Sequence, residues 1–249
     1  MATSGPLSRI RVVLVEPSHP GNIGAAARAM MTMGLSRLVL VRPRLFPHPE
    51  ADALASAATG VLEAARVCAT LDEALAGTAI SVALSARARD LSHPMLDARE
   101  AAAEIVRVAA DADAAMVFGN ETAGLSNEDV LACSGLATIP ADPGCSSLNL
   151  AQAVQVLAYE VRRAAVAGSP PRERLPEYAT HEAVEAFHAQ LERSLVGAGF
   201  LDPANPGRLM ERLRRLFGRA RLEREEVNIL RGMLSAWEPD SPKRRSVRK

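Results

Sequence analysis

The chain has 249 residues, of which 48% are hydrophobic and 23% are charged, and its formal net charge at neutral pH is zero. This size and composition fit one globular α/β domain with a smaller appendage. No apolar run approaches the roughly 18 residues that span a bilayer, and residues 1–11 lack the apolar stretch of a signal peptide. The cysteines, Cys68, Cys133 and Cys145, show neither zinc-ligand spacing nor a disulfide framework. We therefore predict a cytoplasmic protein without a metal and without a membrane partner.

From residue 10 to residue 168, short apolar and β-branched runs alternate with alanine-rich segments of helical period. This alternation predicts an α/β fold, a parallel sheet whose strands are connected by crossover helices. The predicted strands are residues 10–16, 37–41, 80–84, 115–118 and 136–139. The predicted helices are residues 23–33, 52–67, 97–109, 127–133 and 148–165.

The pattern changes at residues 168–176, which read GSPPRERLP and predict a linker because proline cannot continue a helix. Three further helices are predicted at residues 181–196, 206–222 and 223–237, and a disordered basic tail at residues 242–249. The predicted organisation is a domain at residues 1–168, a linker at 169–179 and a helical basic extension at 180–249.

The net charge of zero hides an asymmetry along the chain. Residues 1–169 carry 13 Lys and Arg against 17 Asp and Glu, whereas residues 170–249 carry 16 against 12. A basic C-terminal part indicates a polyanionic partner. The alternative is a solvated helical face with no partner, since charge runs often mean no more than that.

The first segment that suggests chemistry is residues 17–34, PSHPGNIGAAARAMMTMG, where a turn leads from a predicted strand into a helix. Its glycines let a ligand approach the backbone, and Arg28 follows about one and a half turns inside the helix. The glycine spacing matches neither GxGxxG nor a P-loop. In the alternative interpretation, the segment is a simple strand-to-helix turn with Arg28 on the helix surface.

A second segment, residues 117–129, reads VFGNETAGLSNED. It places Gly119, Asn120 and Glu121 at the carboxyl end of a buried strand, the sheet edge at which open α/β sheets bind their ligands.

A third segment, residues 139–160, reads IPADPGCSSLNLAQAVQVLAYE and leads from a predicted strand through small polar residues into an amphipathic helix. Ser146, Ser147 and Asn149 either contribute to a site at the same sheet edge or only cap the helix that follows.

In this order, the three segments resemble the SpoU family of SPOUT methyltransferases. The resemblance is carried by NIGAAAR, FGNETAGLSNE and IPADPGCSSLNLAQAV, and it covers about residues 10–165. The later run GFLDPANPGRLMERLRRLFGRARLEREEVNILRGML is similar to the C-terminal extension of TrmJ-type tRNA (cytidine/uridine-32) 2′-O-methyltransferases. Cys145 departs from related sequences, which often carry an aromatic residue before the two serines.

The resemblance implies S-adenosylmethionine-dependent 2′-O-methylation of a tRNA ribose, at position 32 of the anticodon loop, by a homodimer. It further implies a trefoil knot in the C-terminal part of the α/β domain, with the cofactor bound inside it. The implied cofactor-binding residues are Leu84, Ser85, Ala86, Gly119, Ile139, Ser146, Ser147 and Leu148. The implied catalytic residues are Arg28, Asn22, Glu121, Ser147 and Asn149.

Methyl transfer to a ribose hydroxyl is an in-line displacement, and negative charge develops on the 2′ oxygen. Arg28 offers a permanent positive charge beside that oxygen, whereas its pKa, above about 12, is too high for a general base. Asn22 and Glu121 would support the active-site loop, and Ser147 and Asn149 would lie near the ribose.

With aromatic residues at 3% of the sequence, RNA recognition should depend on shape and phosphate contacts rather than on base stacking. In the alternative interpretation, about half of the arginines of the second C-terminal helix pair with Glu211, Glu223, Glu225 and Glu226, which leaves a smaller net basic patch. Two alternatives stay open at this point, a SpoU-type enzyme acting on ribosomal RNA and a non-catalytic RNA-binding module. The candidate RNA-binding residues are Arg208, Arg212, Arg214, Arg215, Arg219 and Arg221.

Overall fold

A computed structural model describes residues 5–86, 95–167 and 177–237. The described strands are β1 (Ile10–Val15), β2 (Arg37–Val41), β3 (Arg66–Cys68), β4 (Thr78–Leu84), β5 (Met95–Asp97), β6 (Asp113–Phe118) and β7 (Gly135–Thr138). They form one sheet in the order β3-β2-β1-β6-β4-β7-β5, and every neighbouring pair is parallel. The predicted parallel α/β sheet is confirmed.

Helices cover both faces of this sheet. In the part of the chain that the structure describes, those of the α/β unit are α1 (Pro20–Thr32), α2 (Pro49–Ala55), α3 (Thr59–Glu63), α4 (Leu71–Leu75), α5 (Ala98–Ala109), α6 (Asn127–Ala132) and α7 (Leu150–Val166). Along β1, Val12 and Leu14 pack into the layer of α1, α2, α3, α5 and α7, whereas Val13 and Val15 face α4 and α6. Burial on both faces explains why the strands read as continuous apolar runs.

The five predicted strands are present, and β4 and β6 each begin two residues before the prediction. Strands β3 and β5 were not predicted. Each has three residues and lies at an end of the sheet order, so neither carries a long apolar run.

The prediction of one continuous helix over residues 52–67 is wrong. Helix α2 ends at Ala55 because Ser56 adopts a left-handed backbone conformation with a φ of 54°. Helix α3 follows as a separate element, and residues 66–68 pair with β2 as strand β3. Gly60 lies inside α3 and not at the break, so glycine placement does not mark the boundary.

Three further helices follow, α8 (His181–Gly197), α9 (Leu209–Ala220) and α10 (Arg224–Trp237), as the sequence predicted. They enclose a separate apolar cluster, in which the rings of Phe187 and Phe217 meet edge to face at 4.7 Å. The predicted tail and residues 169–176 of the predicted linker lie outside the described residues. Among the described helices, none has the length and apolar character needed to cross a membrane.

Polar contacts join these helices to the α/β unit. Glu182 accepts a hydrogen bond of 2.6 Å from the backbone N–H of Gly77, immediately before β4. The His181 Nε2 atom lies 3.0 Å from Asp72 Oδ1, and Arg221 forms an ion pair with Glu104 of α5. The C-terminal helices therefore pack beside the start of β4, at the opposite end of that strand from its carboxyl terminus.

Candidate active site

The parallel sheet brings the three motif segments to one edge. The loops that follow β1, β4, β6 and β7 all leave the sheet at the carboxyl ends of their strands, where open α/β sheets bind ligands. Strands β1 and β6 are direct neighbours, so the loops that start after Val15 and Phe118 lie side by side.

Glu121 connects two of these loops. One carboxylate oxygen accepts hydrogen bonds from the Ser18 N–H, at 2.9 Å, and from the Ser18 hydroxyl, at 2.7 Å. The other accepts from the His19 N–H, at 3.2 Å, and from the Asn22 side-chain amide, at 2.9 Å. His19 is the N-cap of α1 and makes no side-chain cap of its own, so Glu121 supplies negative charge at the positive end of that helix.

These contacts determine the ionisation of Glu121. Burial by itself raises the pKa of this carboxyl, but hydrogen bonds from Asn22 and Ser18 outweigh burial and lower the pKa to about 2. The side chain is therefore an anion at neutral pH. A carboxylate with so low a pKa is a poor proton acceptor, so its chemistry is that of a positioning residue.

The third segment joins the same network through Asn149. Its amide donates to the Asn22 side-chain oxygen at 2.9 Å, and its own oxygen accepts from the N–H groups of Ala151 and Gln152. Asn149 is thus the N-cap of α7, as one interpretation of the sequence held, and also a link to α1. Capping and site assembly use opposite ends of the same side-chain amide.

The loop after β6 is a tight turn held by Asn120. The Asn120 side chain donates to the Glu16 carbonyl at 2.7 Å and accepts from the Thr122 N–H at 2.8 Å, and its own carbonyl accepts from the Gly124 N–H. A Cβ atom on Gly119 would lie 2.2 Å from backbone atoms of this turn, at Gly124 and Leu125. Glycine is therefore required at position 119 by the turn itself, a reason that the sequence did not provide.

A cavity of about 240 Å³ lies at this edge of the sheet. Its walls come from the ends of β4, β6 and β7 and from the start of α7. All eight predicted cofactor-binding residues line it, namely Leu84, Ser85, Ala86, Gly119, Ile139, Ser146, Ser147 and Leu148.

The predicted catalytic residues divide into two groups. Glu121 and Ser147 line the cavity, whereas Asn22 and Asn149 belong to the hydrogen-bond network without lining it. Arg28 is exposed on α1, does not line the cavity, and has no hydrogen-bond or ion-pair partner among the described residues.

The six candidate RNA-binding arginines do not form one equivalent set. Arg212 and Arg219 are exposed and have no ion-pair partner among the described residues. Arg208 pairs with Glu211 at 3.1 Å, the only described pair that involves a glutamate named by the sequence argument.

Arg214 and Arg221 have intramolecular partners that the sequence analysis did not predict. Arg214 binds both carboxylate oxygens of Glu185, at 2.6 and 2.8 Å, and Arg221 pairs with Glu104. Arg215 is half-buried, and its Nε atom has no hydrogen-bond partner within the described part of the chain. The guanidinium groups of Arg214 and Arg221 are thus engaged in packing the C-terminal helices.

Sequence reasoning missed Ser18, which donates hydrogen bonds to Glu121. It placed Asn120 at this sheet edge but did not predict that Asn120 anchors the turn. Ser18 lies between two prolines, and this was its only sequence signal. In the described residues, no group of three or more His, Cys, Asp and Glu side chains is arranged to hold a metal ion.

The fold defines an α/β protein with a cavity at the carboxyl edge of a parallel sheet, where open α/β sheets bind ligands. Comparison with known proteins identifies the family within this class. Residues 9–159 match the SpoU rRNA Methylase family, and residues 182–248 match the C-terminal domain of the tRNA methyltransferase TrmJ. The chain therefore belongs to the SpoU methyltransferase family, and its C-terminal part is of the TrmJ type, as the sequence resemblance predicted.

Individual relatives agree with this assignment. The chain is 52% identical over 240 residues to the tRNA (cytidine/uridine/adenosine-2′-O-)-methyltransferase TrmJ of Pseudomonas aeruginosa, covering 92% of this chain and 93% of that protein. The crystal structure of TrmJ from Z. mobilis ZM4 aligns with a TM-score of 0.81 and 36% identity, over 91% of this chain and 97% of that one. The SpoU methyltransferase AviRb from Streptomyces viridochromogenes, crystallised in complex with AdoMet, aligns with a TM-score of 0.51 and 26% identity, over 64% and 58%.

Proposed function

We propose that this chain transfers a methyl group from S-adenosylmethionine to the 2′ oxygen of a tRNA ribose, at position 32 of the anticodon loop. The observation that carries the proposal is the hydrogen-bond network of Glu121, Asn22 and Asn149, which joins three motif segments beside one cavity. The Pseudomonas relative, named for methylation of cytidine, uridine and adenosine in tRNA, supports the same substrate class. The protein would act in the cytoplasm, on tRNA.

The chemistry of the cavity lining fits S-adenosylmethionine. Leu84, Ile139 and Leu148 are apolar, and Ser146 and Ser147 carry hydroxyl groups, a combination suited to a ligand with a flat base and a polar sugar. When bound, this cofactor supplies an electrophilic methyl group on a sulfonium. The chain must then align the ribose oxygen with that group and stabilise the negative charge that develops on the oxygen.

Arg28 is the proposed source of that stabilisation. Its guanidinium is a permanent cation with directed N–H donors, and no described carboxylate neutralises it. Glu121, Asn22 and Asn149 fix α1, which carries Arg28, relative to α7, and Ser147 contacts the ribose. Because the pKa of Glu121 is about 2, the proton of the 2′ hydroxyl goes to another acceptor.

We further infer a homodimer in which α1 of one protomer approaches the cavity of its partner. Arg28 does not line the cavity of its own subunit, so a second copy would complete the site. Exposed apolar side chains on α1 and α7, Met31 at 47% and Tyr159 at 49%, provide surface for such an interface.

A trefoil knot in the C-terminal part of the α/β unit belongs to the same proposal. Its support is that the loops after β6 and β7 line one cavity with the end of β4. In the proposed organisation, residues 1–168 form the methyltransferase domain, residues 169–179 the linker and residues 180–249 an RNA-binding extension.

Substitution of Arg28 tests the function. Arg28→Ala should lower the single-turnover rate of tRNA methylation by on the order of a hundredfold or more, the range for loss of one preorganised donor. S-adenosylmethionine affinity, measured by calorimetry, should hardly change because the proposed partner of Arg28 is the 2′ oxygen of the ribose and not the cofactor. Arg28→Lys keeps the charge without the planar fork, so it should restore only part of the rate.

Three results would contradict the proposal. If the wild-type protein bound S-adenosylmethionine and methylated ribosomal RNA but not tRNA, the substrate would be ribosomal RNA. Failure to bind the cofactor would indicate a non-catalytic RNA-binding module. A folded Arg28→Ala variant with a normal rate at saturating tRNA and cofactor would leave Arg28 as an ordinary surface residue.

A further inference from the structure

The loop between β2 and α2, residues 42–48, reads RPRLFPH and lies next to the active-site network without being part of it. The backbone N–H of Arg44 donates to the Pro17 carbonyl at 3.1 Å. Pro17 directly precedes Ser18, whose hydroxyl and N–H bind Glu121. The loop is therefore fixed to the same sheet edge as the cavity.

An unusual backbone holds the base of this loop. Glu16 and Arg42, the residues that follow β1 and β2, both have left-handed conformations, with φ of 52° and 47°. The Arg42 guanidinium binds Glu16 Oε1 through Nε at 3.0 Å and Nη2 at 2.9 Å, and Nη1 donates to the Ala69 carbonyl at 3.0 Å. Left-handed conformations are unfavourable for residues with a Cβ, and such strain concentrates at functional sites.

The side chains of Arg44 and Leu45, at the tip of this loop, are exposed. Arg44 is exposed, and none of the described residues forms an ion pair with it. Leu45 is 49% exposed. Of the nearby carboxylates, Glu16 is paired with Arg42, and Glu50 lies against Gly21 at the start of α1, where a Cβ would come within 2.8 Å of its oxygen. Arg44 is thus an uncompensated cation beside an exposed apolar side chain.

We propose that residues 42–48 form an RNA-contacting loop, in addition to the RNA-binding C-terminal extension. Arg44 binds a phosphate adjacent to the methylated nucleotide, and Leu45 packs against a neighbouring ribose or base. This inference rests on the proposed function. A guanidinium binds phosphate oxygens through two parallel hydrogen bonds, which fix the position of a strand without reading its sequence. An RNA strand that reaches the cavity has to enter at this sheet edge, where the loop can contact it.

The matched pair Arg44→Ala and Arg9→Ala tests the phosphate contact. Both variants remove one exposed arginine from the α/β unit, but Arg9 precedes β1, at the amino edge of the sheet, where its guanidinium donates to the Ala110 carbonyl. Because Arg44 contributes only its backbone to the described hydrogen bonds, Arg44→Ala should fold normally. We expect its Kd for tRNA to rise on the order of tenfold, and the slope of log Kd against log salt to fall by about 1.

Leu45→Ala tests the apolar contact separately. It should weaken tRNA binding without changing the salt slope, because no counterion is displaced by an apolar side chain. All variants should keep the wild-type affinity for S-adenosylmethionine.

Failure of this inference is distinguishable from failure of the proposed function. If wild type methylates tRNA but Arg44→Ala has the affinity and salt slope of Arg9→Ala, the phosphate contact is overturned. Unchanged tRNA affinity in Leu45→Ala would overturn the apolar contact. If wild type neither binds nor methylates tRNA, the proposed function itself fails.

Discussion

At the scale of single residues, Glu121 acts on the site through other groups. Four donors from the loop before α1 and from its first turn surround the carboxylate. Together with the Asn149–Asn22 bond, these contacts join residues that lie 99 to 127 positions apart in the chain. Each donor alone is an ordinary loop contact. Their convergence on one anion fixes the start of α1, and therefore the position of the helix that carries Arg28.

Glu121→Gln should expose this role. The substitution keeps the shape, but it removes the charge and places an NH₂ group opposite a donor, so we expect a loss of about 1–3 kcal/mol in the free energy of unfolding. The ordinary pKa of 4.5 applies to the unfolded chain and the pKa of about 2 to the folded one. The stabilisation is therefore complete above pH 4.5 and is lost as the pH falls toward 2.

Urea unfolding at several pH values checks this prediction, with Glu63→Gln as the matched control. Glu63 is exposed and has no ion-pair partner among the described residues, so its variant should follow the wild type at every pH. Equal stability of Glu121→Gln and Glu63→Gln at pH 7 would refute a structural role for the Glu121 charge.

Individual residues of the site also show how far it could be predicted from the sequence. The cofactor residues were named through a family resemblance, and the structure brings all eight into one cavity, although their role stays a prediction. The contacts of Ser18 and Asn120 were not predicted because they depend on how the loops after β1 and β6 face each other. Local sequence does not record that geometry.

At the scale of elements, apolar runs predicted every long strand, since each is buried on both faces. The two edge strands, β3 and β5, were not predicted because a segment of three residues is too short to show a hydrophobic pattern. Residues 52–67 were misjudged because their alanine-rich pattern is helical on both sides of Ser56. The positive φ of Ser56 interrupts the helix there, and the alanine-rich pattern gives no signal of it.

Gly119→Ala tests the turn after β6. The added Cβ would lie 2.2 Å from the backbone of Gly124 and Leu125, so the turn must shift. We expect a stability loss of about 1–3 kcal/mol, as for overpacking, together with weaker S-adenosylmethionine binding because the turn is a wall of the cavity. Thermal melting with and without the cofactor measures both effects.

Gly60→Ala is the control for this prediction, because Gly60 lies in a helix with open space around its would-be Cβ. Alanine there should be neutral or slightly stabilising. If the two variants had the same melting temperature and the same affinity for the cofactor, the tight turn would not constrain position 119.

At the scale of the whole molecule, the C-terminal helices have two kinds of arginine. Arg214 and Arg221 are paired with Glu185 and Glu104 and hold helices together, whereas Arg212 and Arg219 are exposed without a described partner. The charge asymmetry of the sequence therefore overstates the cations available to a polyanion. It is the exposed pair that should contribute to RNA affinity.

Removal of the C-terminal helices tests whether they bind RNA while the α/β unit binds the cofactor. The two core clusters of the α/β unit consist entirely of buried residues between 7 and 161, so a chain ending at residue 167 should fold and keep its S-adenosylmethionine affinity. Its tRNA affinity should fall, with a shallower salt dependence, because phosphate contacts are lost. Filter binding at several salt concentrations measures both quantities.

Two full-length variants show which arginines account for the loss. The double variant of Arg212→Ala and Arg219→Ala should lower the salt slope by about 2, about 1 for each phosphate contact, with an unchanged melting temperature. Arg214→Ala should instead lower the melting temperature, because it leaves the half-buried Glu185 carboxylate, whose pKa is lowered to about 2 in the paired state, without its guanidinium. The RNA-binding role of the extension would be refuted if the truncated chain bound tRNA as tightly as the full chain, with the same salt slope.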